Sequence, residues 1–127
     1  MEITSKINNT TYLIEIEGAI VGIYAEELDK IIYSINFTCL GINNLIFNLA
    51  RTSMIDSIGI ETINHVQERG LKVSILNPQG LVKDMLERAS ITGRLSHFLQ
   101  IVDPIEKVYK TEDLVDYAYI INPSVKL

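Results

Sequence analysis

The chain has 127 residues, 47% of them hydrophobic and 21% charged, which is enough to bury the core of one globular domain and excludes a disordered chain. A net charge of −5 and a sequence pI near 4.9, with 11 Lys and Arg scattered along the chain, argue against a nucleic-acid partner, which needs a basic stripe. The same balance permits a basic protein partner.

In chain order, Ile3–Ile7 and Thr11–Glu17 read as two strands joined at Asn8-Asn9-Thr10, an N-terminal hairpin closed by Gly18. Apolar residues at 24, 28, 31, 32 and 35 then place Tyr24, Leu28, Ile31, Ile32 and Ile35 on the inner face of a helix, with the acidic pair Glu26-Glu27 expected in its first turn. Residues 36–43 read as a loop broken at Gly41. Leu45–Leu49 follows as a buried central strand, and residues 50–53 as a polar break. A second helix opens near Asp56-Ser57, turns Ile60, Ile63 and Val66 inward, and stops at Arg69-Gly70, a basic last turn with a glycine beyond it. Leu71–Leu76 is the next strand. Asn77-Pro78 reads as cap and first residue of a third helix, with Leu81, Val82, Met85, Leu86 and Ala89 inward. Residues 98–102 read as a last strand, and Asp103-Pro104 as the cap of a fourth helix ending at Thr111 or Tyr117, before a tail of residues 118–127. Strands alternating with helices require crossovers, so the expected fold is α/β with a mixed, mostly parallel sheet and an antiparallel hairpin at its start.

No apolar run reaches the roughly 18 residues of a membrane-spanning helix. The N-terminus MEITSKINNT lacks the pattern of a signal peptide, and the lone Cys39 forms no internal disulfide and suits a reducing cytoplasm.

The stretch richest in chemistry is Asn44–Gly59. Asp56 and Ser57 are both good cap residues for the helix that follows, and a hydroxyl at a helix N-terminus lies where a phosphate is well accommodated. A strand, a short loop and Asp-Ser-Ile-Gly opening a helix resemble the STAS domain, in particular the bacterial anti-sigma factor antagonists, and the element order of residues 3–116 is similar to theirs. The resemblance implies a single STAS-like domain over residues 1–117 and a cytoplasmic, non-enzymatic regulator of transcription, monomeric or weakly dimeric. Ser57 would be phosphorylated by an anti-sigma factor that is also a serine kinase, and reset by a serine phosphatase. The kinase would bind Asp56, Ile58, Gly59 and Glu61 at the helix start, with Ile20 and Val21 of the 18–22 loop. Nucleotide and magnesium would belong to the kinase, so this chain is expected to hold no cofactor and no metal.

Each of these residues also has a plainer role. Ser57 or Asp56 serves as a helix cap, and Gly59 relieves crowding in the first turn. The 18–22 loop carries no charge and Glu61 stands one turn from Ser57, which favours the alternative of a non-switching STAS module, for instance a subunit of a transporter or signalling assembly. A nucleophilic serine is disfavoured. Ile55 stands where a G-x-S-x-G elbow needs glycine, and His65 lies roughly 12 Å along the same helix from Ser57. Two histidines and one cysteine, widely spaced, offer no metal site.

Overall fold

The computed structural model describes residues 1–93 and 100–102. Two strands, β1 (Glu2–Asn8) and β2 (Thr11–Ile20), form the expected antiparallel hairpin. There follow α1 (Gly22–Tyr33), a single turn α2 (Phe37–Leu40), β3 (Asn44–Asn48), β4 (Thr52–Ile55), α3 (Ser57–Glu68), β5 (Lys72–Leu76), α4 (Gly80–Ile91) and β6 (Gln100–Val102). The sheet order is β1-β2-β3-β5-β6, parallel apart from the hairpin.

Alternation along the strands sends Tyr12, Ile14, Ile16, Leu45, Phe47 and Ile75 to one face, where α1, α3 and α4 add Leu28, Ile32, Ile63, Val66 and Leu86 to a single cluster. Leu45, Ile46, Phe47, Leu49, Ile60 and Ile63, which the sequence places in the core, are all buried, and so are Val73 and Ile75 of β5. Ile46 lies on the opposite face of the sheet with Leu13 and Leu76, which explains why β3 reads as a continuous apolar run. Tyr12 is fully buried, its ring edge-on to Phe37 at 5.5 Å, and its hydroxyl lies 3.4 Å from Ser5 Oγ. Burial pushes its pKa up to about 12 despite that bond.

Four details depart from the sequence reading. Residues 50–53 are not simply a break. The chain turns at Leu49–Arg51 and resumes as β4, which pairs with the second half of β2 after β3 has paired with the first half. Asn48 holds the turn, accepting the Ala50 N–H while donating to Glu15, and buried Thr52 donates its hydroxyl to Ile16 O at 2.8 Å. Second, α1 begins at Gly22, so Glu26 and Glu27 fall outside its first turn, and Tyr24 is 46% exposed, one position off the buried stripe of Ala25, Leu28 and Ile32. Third, the 36–43 loop contains α2, capped by the Asn36 side chain and ended by Gly41 at φ +70°. Fourth, Asn77 has φ +50°, incompatible with opening a helix; α4 starts only at Gly80, and Leu81 is exposed. Of the expected last strand, Gln100–Val102 is described and is β6. Phe98 and Leu99, the fourth helix, His97 and the tail of residues 118–127 lie outside the described residues.

Candidate functional site

The junctions β2–α1 and β4–α3 meet at one end of the sheet, and Asp56 ties them together. As N-cap of α3 it accepts the Gly59 N–H on Oδ1 at 3.0 Å, the bond that satisfies an otherwise orphaned donor of the first turn. Its other oxygen accepts the N–H of Gly22, the first residue of α1, at 2.7 Å. Its own N–H donates to Ile20 O at 3.2 Å. Gly22 adopts φ +54°, a conformation that favours glycine and aims this N–H.

Asp56 being the cap, Ser57 is the first residue of the helix, and the reading of Ser57 as a cap is set aside. Its side chain is exposed. Ile58 and Val21 are half-buried beside it, and Glu61 is exposed on the next turn. Gly59 is buried where helix and strands touch: a Cβ there would come within 2.7 Å of Ile55 Cγ1 and 3.0 Å of Ile20 Cγ2 and the Ile20 carbonyl oxygen. Close approach of the neighbouring backbone is therefore what Gly59 allows. Ile20 is 2% exposed, so it does not supply the contact surface expected of it, and Ile60 is equally buried, in keeping with its inward phase. Ile23, Tyr24 and Met54 are exposed instead, at 66%, 46% and 38%. Ile23 and Tyr24 stand in the first turn of α1, and Met54 two residues before Asp56. Helical phase in the sequence points Tyr24 inward, and the weakly apolar Thr52–Ile55 carries no local signal of the strand that exposes Met54.

The rest of α3 packs along α1. His65 Nδ1 and Asp29 Oδ1 meet at 3.1 Å across the two helices. The bond to Asp29 holds the imidazole pKa above its ordinary value, against a smaller desolvation effect and with help from the charges of Asp29, Glu68 and Glu61. At the far end Arg69 donates to Ile32 O at 3.0 Å and Ile35 O at 2.7 Å, with its guanidinium 4.6 Å from the centroid of the Phe37 ring. No group of three metal-ligating side chains occurs among the described residues. No described helix is long and apolar enough to cross a membrane.

The STAS domain family model matches residues 2–113. The chain belongs to the STAS domain family. Among solved structures this STAS domain is similar to the anti-sigma factor antagonist SpoIIAA in its unphosphorylated form, with 18% identity over 83% of this chain and 91% of that one, at TM-score 0.59. It is similar to the Bacillus cell fate determinant SpoIIAA in the phosphorylated form, with 18% identity, coverage of 84% and 96%, and TM-score 0.59. It also resembles the STAS domain of a SulP transporter from Vibrio cholerae, with 25% identity, 73% coverage of each chain and TM-score 0.53. No curated protein matches the sequence. These likenesses establish the STAS fold, with its mixed sheet and the hairpin at its start.

Proposed function

We propose that this STAS domain is a regulatory binding module of the anti-sigma factor antagonist type, switched by phosphorylation of Ser57. The observation that carries the reading is the exposure of Ser57 as first residue of α3, beside an Asp56 already committed to two backbone N–H groups. A kinase can reach the hydroxyl without unfolding the helix start. Ile23, Tyr24 and Met54 are exposed, and Val21 and Ile58 half-buried, on the two junctions that Asp56 ties together, which supports an apolar protein contact there. The partner is an anti-sigma factor with serine kinase activity, docked on this surface together with Asp56 and Glu61, while buried Gly59 acts only through helix–strand packing; a serine phosphatase resets the site. Phosphate adds about −1.5 to −2 charges to a surface where Asp56 and Glu61 are already acidic, and weakens docking by repulsion and desolvation. The module works in the cytoplasm, with no catalysis of its own, because the one histidine on the serine's helix, His65, stands about 12 Å along it from Ser57, too far to act as its base.

Glu61, exposed one turn from Ser57, favours a second reading in which the switch is absent and the domain binds constitutively, as a subunit of a transporter or signalling assembly. Titration of the cognate anti-sigma kinase against wild type, Ser57→Ala and Ser57→Asp at two salt concentrations separates the two. The switch requires Ser57→Ala to bind like wild type, Ser57→Asp to lose tenfold or more (about 1.4 kcal/mol), and ATP with magnesium to phosphorylate the wild type alone. Equal binding of all three proteins, or no phosphate on Ser57, leaves the constitutive module.

A further inference from the structure

Beyond the Ser57 end, α1 and α3 leave a crevice of which the roles above use only Ile58 and Glu61, at its upper end. It consists of two depressions in line, of about 200 and 370 Å³, the upper beginning at Ile58 and the lower ending at Arg69. The Asp29–His65 pair stands between them and lines both. Ile58 lies in the upper one, and buried Ile32 and Val66 floor the lower. Glu26 and Glu61 rim the upper depression, and Glu68 the lower. Of the two strong cations present, Arg69 has its guanidinium turned to the Ile32 and Ile35 carbonyls and the Phe37 ring, which leaves Lys30 against four carboxylates, Asp29 included.

We propose that the crevice between α1 and α3 receives a basic amphipathic helix of a protein partner. The inference rests on the reading of this domain as a binding module and extends its contact surface from Ser57 along both helices. Length fits: Ile58 to Arg69 spans about 16 Å, some three turns of a docked helix. Shape fits as well, because both depressions are open and follow a helix pair, whereas a small-molecule site encloses its ligand. Apolar residues of the incoming helix at i and i+3 or i+4 would occupy the two depressions, and its lysines or arginines would face the acidic rim. An acidic segment meets repulsion from that rim, which gives selectivity. The Asp29–His65 pair divides the floor and takes one carboxylate out of play, so it moderates the affinity.

The test uses isotope-labelled full-length protein and a helical peptide of about 14 residues with leucines at i, i+3, i+4 and i+7 and lysines beside them. A twin peptide carries glutamates for lysines. Expected are shift changes centred on Ile58, Thr62 and Val66, and weaker binding at higher salt. Glu61→Gln with Glu68→Gln should lose about two- to tenfold in affinity, the scale of two exposed charges. Asp84→Asn with Glu87→Gln removes the same charge from exposed positions of α4 and should leave affinity unchanged. His65→Ala frees Asp29 and joins the depressions, so it should tighten binding, an effect that mere loss of structure does not mimic. Equal binding of both peptides, shift changes away from α1 and α3, or equal losses from the α3 and α4 pairs would overturn the proposal. The probe contains neither kinase nor ATP, so failure here and failure of the Ser57 switch are separate results.

Discussion

Gly59 and His65 each carry a consequence that one substitution exposes. A methyl group at Gly59 has no room, since the atoms it would meet are the Ile55 side chain and the Ile20 backbone, and the latter cannot swing aside. Gly59→Ala, which in an open helix gains close to 1 kcal/mol, is expected here to cost about 1–3 kcal/mol from overpacking. A urea titration gives the sign: a midpoint equal to or above wild type would mean the contact relaxes freely. At His65 the folded-state pKa is raised by the Asp29 bond, so the stabilisation is complete below about 6.5, the unfolded value, and fades as pH rises through the folded value. Both side chains are partly exposed, so the amplitude is a few tenths of a kcal/mol, about that of a surface pair. The stability of wild type relative to His65→Gln, followed by melting from acid to mildly alkaline pH, should therefore decline across neutrality. A difference independent of pH would remove the pair from the account.

Among the elements, β4 owes its existence to pairing. Thr52-Ser53-Met54-Ile55 has too few apolar residues to announce a strand, and it becomes one because β2 runs on past β3 and offers it a partner. The buried bond from Thr52 Oγ1 to Ile16 O secures the change of partner. Thr52→Val keeps the shape and deletes that bond, with an expected loss of about 1–2 kcal/mol, whereas Ser53→Ala at the exposed neighbour should change stability by less than about 0.5 kcal/mol. Equal effects of the two substitutions, read by thermal or chemical denaturation, would show that the hydroxyl is idle. The start of α4 makes the same point: Asn-Pro has the chemistry of a cap, but a left-handed Asn77 delays the helix to Gly80. Local signals succeeded where a segment decides its own state, as in the apolar runs of β3 and β5 and the 3.6-residue period of α3.

At the scale of the whole molecule, the legible part of the site was likewise the local part. Asp56, Ser57 and Gly59 are consecutive or nearly so, and their chemistry reads directly from the chain. Asp29 and His65 are 36 positions apart and become neighbours only when α1 and α3 pack, so no spacing rule reveals them or the crevice they divide. The backbone of the arrangement is β2, which carries β1 on one edge and on the other β3 and then β4, with a shift of register between Gly18 and Ala19. This shift works as a phase adjuster. One residue removed from β2 beyond Glu15 would leave the β3 half of the sheet untouched, yet pull the origin of α1 back along β4 by about 3.3 Å and take the Gly22 N–H out of reach of Asp56, whereas one residue added could pair opposite Ser53, which faces no residue of β2 in this register. The number of residues in one strand thus sets whether two helix starts, and the serine between them, share a single surface.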